Sequence, residues 1–277
     1  MQLLTLTTDW GLKDFYLGKF KGKCHKEIAD VCIVDITHEI PKYKTRNAAF
    51  VAMNACFDFP SRTIHIIDVA ADAKHVIVEW KEQYFICPDN KIPAMMFHHK
   101  TVKIYSIDKY AADLSSLTFV AMDLYIDIAK KLGSGMKPEE IGEPIPDFRE
   151  KEYITSPVKY ADYMECFVLY TDDYSNAILN VTEQEFNEFV QDKKFYIQID
   201  ITTNVIAASR SYNPQKNSFT TKTIIDSNEA MPALSVSSSG YMELALFKSN
   251  YAKLTARSLI PDSNEKQIRI WLGEPKR

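Results

Sequence analysis

The chain has 277 residues, 46% of them hydrophobic and 25% charged, with a formal net charge of −4. That balance is ordinary for a globular protein and excludes the broad basic surface that nucleic acid requires. No apolar run is long enough for a bilayer-spanning helix, and no secretory leader is visible, so a cytoplasmic protein without membrane contacts is expected.

The first half alternates strands and helices. "LLTLTT" reads as a strand, and Leu12, Phe15, Tyr16 and Phe20 follow at helical spacing. "VCIVDI" is the next strand and "TRNAAFVAMNACFDF" the next helix. "TIHIIDV", "HVIVEW", "QYFICP" and "VKIYSI" are further strands, rich in β-branched and aromatic residues. "LTFVAMDLYIDIAKKLGSG" is a helix stopped by lysines and then glycine. Such alternation predicts an α/β sheet with both faces covered. Glycines and prolines then gather in "GSGMKPEEIGEPIPDFREKEY", and beyond it the pattern turns mainly to β. "MECFVLYT", "AILNVT", "KFYIQIDI", "PALSVSS", "GYMELALF" and "QIRIWLG" read as strands, with one short helix whose Thr182-x-x-Glu185 forms a capping box. The expected division is an α/β domain over residues 1–150 and a smaller β-barrel or sandwich domain over 151–277, with 213–230 as a long polar loop or hairpin.

Candidate chemistry starts with acids. Asp9, Asp35, Asp68 and Asp172 end or nearly end predicted strands, and in open α/β sheets ligands sit outside the carboxyl ends of strands. Asp35 and Asp14 read as caps. Asp9 and Asp68 either cap turns or line a shared crevice. Tyr43 and Tyr212 each follow a predicted loop and are placed to stack on a flat ligand. The five cysteines form no CxxC pair and the six histidines no ligand pair, so reduced thiols and no metal site are expected. P-loop, G-x-G-x-x-G, G-x-S-x-G and H-E-x-x-H motifs are lacking, which argues against the common triphosphate, dinucleotide, esterase and zinc-protease chemistries.

"LTTDWGLKDFYLGKFKG" followed by "IVDITHEIPKYKTRNAAF" resembles the start of the S-adenosylmethionine (SAM) hydrolase and halogenase family. "CPDN" (87–90) resembles that family's G-P-D-N, and "TFVAMD" (118–123) lies where it has T-F-H-G-R-D. "TDDYSN" (171–176) is similar to I-D-x-F-G-N, "SSSGYMELA" (237–245) to N-S-x-G-y-L-E-i-A, and "SNYA" (249–252) to the small-residue turn after it. The resemblance implies an N-terminal α/β domain, a C-terminal β-barrel, and a homotrimer with SAM held between subunits. It implies that Asp9 binds the ribose hydroxyls and that Tyr43 and Phe119 lie beside the ligand. Asp172 and Asn176 would meet the methionine ammonium and adenine-side groups, Ser238 the methionine carboxylate, and Asn250 and Tyr251 the adenine. Tyr212 is the candidate stacking ring.

The implied reaction is attack of water on the ribose methylene next to the sulfonium, releasing adenosine and methionine, with SAM as substrate and no other cofactor. The family's D-P-G-V-G-T-x-R is here "DVAADAKH", Asp68 to His75: the aspartate persists, His75 takes the arginine position, and Ala70 and Asp72 take glycine positions. The family's histidine falls at Val120, followed by Ala121 and Met122. Asp68 and His75 are therefore the candidate catalytic pair. The alternative is a family member that binds an adenosyl ligand without turning it over.

Overall fold

The computed structural model describes residues 1–71, 74–111, 119, 121–191, 193–199, 205–207, 231–247 and 268–273. The chain divides into two compact units, Met1–Tyr153 and Ile154–Arg277.

The first unit carries β1 (Gln2–Thr8), α1 (Tyr16–Glu27), β2 (Val31–Thr37), α2 (Thr45–Ala55), β3 (Ile64–Asp68), β4 (His75–Trp80) and β5 (Gln83–Pro88). It continues with α3 (Ile92–Phe97), β6 (Lys103–Ser106), α4 (Asp108–Ala111), α5 (Ala121–Gly133), α6 (Pro138–Ile141) and β7 (Glu143–Ile145). One seven-stranded sheet runs β2-β1-β3-β5-β4-β6-β7. β2, β1, β3 and β5 are parallel; β4, β6 and β7 each pair antiparallel with their neighbours.

Side-chain alternation sorts the two faces. Leu4, Leu6, Ile64, Ile66, Ile77 and Ile86 point to the side of α1 and α5, where Phe20, Cys24, Leu124, Tyr125 and Ile128 complete a core. Ile67, Val76, Val78 and Phe85 point to the other side, against Ala48, Ala49 and Ala52 of α2 and Met95 and Met96 of α3. Small alanines let α2 lie close to the sheet. The two helices therefore leave β1 and β2 toward opposite faces. In a 2-1-3 strand order the usual ligand position is outside the carboxyl ends of β1 and β3, where Asp9 and Asp68 stand.

The second unit holds β8 (Val158–Lys159), β9 (Tyr163–Cys166), β10 (Val168–Thr171), β11 (Ala177–Thr182), α7 (Glu183–Val190), β12 (Phe195–Ile199), β13 (Val205–Ala207), β14 (Met231–Val236), β15 (Tyr241–Phe247) and β16 (Ile268–Leu272). They form two antiparallel sheets, β10-β11-β15-β14 and β13-β12-β16-β9-β8. Leu179, Val181, Met242 and Leu244 of one meet Met164, Ile197, Ile268 and Ile270 of the other in a single core, giving the described strands a sandwich arrangement. The expected α/β-plus-β fold class is borne out. The capping box is also present: Glu185 N–H donates to the Thr182 hydroxyl at 3.2 Å, and Thr182 N–H donates to the Glu185 carboxylate at 2.9 Å. Residues 213–230 lie outside the described residues.

Candidate active site

Asp9 follows directly on β1, and Asp68 is the last residue of β3, with Thr8 and Asp68 paired in register. Asp9 is half-buried and accepts a hydrogen bond from Tyr43 N–H at 3.0 Å through Oδ2. Tyr43 adopts φ 63°, a left-handed turn that this bond holds, and the residue is 77% exposed at the rim. Lys42 Nζ donates to the Asp9 carbonyl. Gly11, at φ 72°, turns its N–H onto the His38 carbonyl at 2.7 Å, closing the Asp9 loop against the end of β2. The other face of the rim is aromatic. Phe119 lies 4.8 Å from Trp10 and 5.3 Å from Tyr16, whose ring lies 4.6 Å from Phe15.

Asp68 is only 3% exposed. Trp10 Nε1–H donates to its Oδ2 at 2.8 Å, while Oδ1 is buried with no hydrogen-bond partner among the described residues. Burial pushes its pKa up to about 7; the indole bond opposes the shift and the nearby Asp9 charge adds to it. A carboxyl group poised there exchanges a proton readily at neutral pH.

His75 opens β4. Extending the β3–β5 register puts Asp68 opposite Pro88, and Pro88 is opposite His75. Asp68 and His75 thus share one face of the sheet, two strand spacings apart, roughly 10 Å. Tyr125 of α5 sits on that face: its hydroxyl and His75 Nδ1 share a hydrogen bond of 2.9 Å. Complete burial is the largest cause that raises the tyrosine's pKa, and the Asp68 and Cys87 charges add to it. Burial also lowers the pKa of His75, against the pull of Asp108, which accepts the His75 backbone N–H at 2.9 Å. His75 is 5% exposed, so its ring is a packed neighbour of Tyr125.

In the second unit, Asp172 and Asn176 meet in the β10–β11 turn. Asp172 Oδ1 accepts Asn176 N–H at 2.8 Å and Oδ2 accepts the Asn176 amide at 3.1 Å. Ser238 stands in the turn from β14 to β15. That turn adjoins the Thr182 end of β11, whereas Asp172 and Asn176 adjoin its Ala177 end. About 17 Å of strand separates the two groups, so the sheet does not bring Ser238 to Asp172. Tyr212, Asn250, Tyr251 and Asp72 lie outside the described residues.

The sequence models for the SAM hydroxide adenosyltransferase N-terminal and C-terminal domains match residues 4–142 and 166–258. The chain belongs to the SAM hydroxide adenosyltransferase family. It is 26% identical over 274 residues to the (R)-S-adenosyl-L-methionine hydrolase of Methanocaldococcus jannaschii, covering 92% of each chain. The fold is similar to the crystal structure of an uncharacterized conserved protein from Thermotoga maritima, with TM-score 0.78, 22% identity and 97% and 99% of the two chains covered. A conserved hypothetical protein from Thermus thermophilus gives TM-score 0.69 and 17% identity over 98% and 100%.

Two left-handed residues bear on this chain's departures from the family. Ala70 has φ 53° and Ser175 φ 65°. Both stand where the motif resemblance places glycines, so the backbone keeps a glycine's conformation after the glycine is gone. Trp10 and Tyr125 carry no sequence signal of a role; their partners lie 58 and 50 residues away along the chain.

Proposed function

We propose that the protein binds SAM and hydrolyses it to adenosine and methionine by attack of water at the ribose C5′ carbon. In this reading the Asp9 carboxylate accepts the ribose diol, since Oδ1 has no hydrogen bond among the described residues and an ionised carboxylate takes two hydroxyl donors. Asp68 is the base that takes the water's proton. The C5′–S bond breaks as the new C5′–O bond forms, the electron pair stays on sulfur, and neutral methionine thioether leaves. The leaving group needs no acid, so the protein's task is orientation, exclusion of bulk water and placement of charge. Tyr43 and Phe119 flank the nucleoside; Asp172 and Asn176, which are bonded to each other, belong to the methionine and adenine recognition set, and Ser238, at the far end of β11, is left out of it. A homotrimer with sites shared between subunits is part of the same proposal.

The observation that carries the reading is the state of Asp68: buried, held on one oxygen by Trp10, without a partner on the other among the described residues, and with its pKa pushed up to about 7. Family membership and the hydrolase name of the Methanocaldococcus relative support the same chemistry. A second reading, an adenosyl-binding protein without turnover, is favoured by the packed His75 ring and by Ala121 and Met122, which are buried apolar residues at the start of α5. Incubation with each sulfonium epimer of SAM, with adenosine followed by chromatography and ligand binding by thermal shift, separates the two. Adenosine that disappears in Asp68→Asn supports the hydrolase. A thermal shift without product supports the binding protein, and neither signal removes both.

A further inference from the structure

The loop after β3 must turn away from the sheet directly behind Asp68, and the segment that carries it has lost its glycines. In an extended chain successive carbonyls point to opposite sides. Here the left-handed conformation of Ala70 rotates its carbonyl to the same side as that of Val69. One amide meets both: Asn90 Nδ2 donates to Val69 O at 2.8 Å and to Ala70 O at 2.7 Å. Asn90 is 6% exposed, and its neighbour Asp89 holds the far end of the same loop, donating its N–H to Lys74 O at 2.6 Å. Asp89 is itself fixed by Arg149 N–H on Oδ2 at 2.9 Å. The dipeptide Asp89–Asn90 thus grips both ends of the segment joining Asp68 to His75.

We propose that Asn90 is a positioning residue for Asp68: by bonding the two carbonyls that follow, it fixes the direction in which the chain leaves β3 and keeps the Asp68 carboxyl group under the Trp10 indole and out of bulk water. The inference rests on the catalytic reading of Asp68 for its meaning, but not for its test. An amide is suited to the task because both of its N–H bonds are used and neither adds charge beside the buried acid. An alanine with positive φ does not hold that conformation unaided, since the left-handed region is unfavourable for a residue with a Cβ. The donor on Asn90 offsets that cost.

The consequence is read on the protein without ligand. Trp10 Nε1–H donates to Asp68, so its indole NMR resonance reports the protonation of that carboxyl group; Trp10→Phe assigns the signal. Among the described residues the ionisable groups facing Asp68 are Asp9 at the end of β1 and Tyr125 from α5, with His75 on β4 behind the tyrosine and Cys87 of β5 on the other face of the sheet. None is altered in the variants. Asn90→Ala releases the loop and admits water, and the titration midpoint falls by about two pH units toward the ordinary carboxylate range. Adenosine formation falls roughly a hundredfold with it, as the acid leaves its place. Asn90→Ser, which reaches at most one carbonyl, gives an intermediate midpoint and decides the matter if Asn90→Ala does not fold. A lower melting temperature with an unmoved midpoint means that Asn90 is structural only, and overturns the proposal. A moved midpoint in a protein whose wild type forms no adenosine keeps the positioning role and removes the hydrolase reading instead.

Discussion

Replacing Asp68 by asparagine removes the group on which the chemistry rests, and the fold should gain from its loss. In the unfolded chain the carboxyl group titrates near 3.8, and in the folded protein at about 7. The native state therefore binds the proton more tightly, so stability falls as pH rises from below 4 to above 7. At pH 8 the full shift is present, on the order of 4 kcal/mol against the fold; at pH 5 it is under about 2 kcal/mol. Asparagine does not titrate. Its carbonyl can still accept the Trp10 indole, while its amide enters a place where Oδ1 has no partner among the described residues, a cost of about 1–3 kcal/mol that does not depend on pH. That constant cancels when two pH values are compared. Urea unfolding of both proteins at pH 5 and pH 8 should therefore show Asp68→Asn gaining about 2.5 kcal/mol relative to wild type between the two pH values. The comparison must be made between proteins rather than on wild type alone. His65, buried with its pKa pushed down to about 3, has the opposite slope and gains stability as pH rises from 3 to 6.5. Equal pH slopes in wild type and variant would refute the reasoning, because Asp68 would then titrate as an ordinary surface acid.

Ala70→Gly and Ser175→Gly each relieve a left-handed residue and should stabilise by about 1 kcal/mol, read as a higher urea midpoint at unchanged m-value. Thr182→Ala breaks the capping box of α7 and should cost about 1 kcal/mol by the same measurement, without changing adenosine formation. Asp9→Ala removes the proposed diol acceptor and should raise KM for SAM roughly tenfold or more in steady-state kinetics, with the Asp68 titration still present.

Much of the fold was legible because its signals are local. The β-branched runs of β1, β2 and β3, the lysine–glycine stop of α5 and the threonine–glutamate cap of α7 each declare themselves within a few residues. The departures have physical causes. Leu12 and Phe15 share the apolar spacing of α1, yet the helix starts at Tyr16 and both residues are 67% exposed; periodicity cannot say which apolar residues stay outside the core. "MECFVLYT" reads as one strand, but β9 and β10 belong to different sheets with Phe167 between them, a break that hydrophobic pattern alone does not mark. The β4–β5 hairpin turns through Lys81 and Glu82, at φ 47° and 59°, without the Asn-Gly or Asp-Gly that announces such a turn. In the site, Asp9 and Asp68 could be found because strand ends are legible. Trp10 on Asp68, Tyr125 on His75 and Asn90 on Ala70 could not, since each is a contact made by the sheet and visible only once the strands are aligned.

Turnover of SAM in water enriched with oxygen-18, followed by mass spectrometry of the nucleoside product, locates the carbon that water attacks. Direct attack of water at C5′ predicts adenosine carrying one labelled oxygen at its 5′ position and unlabelled methionine, with the yield collapsing in Asp68→Asn. Intact SAM after prolonged incubation, or label that enters methionine instead, would contradict it.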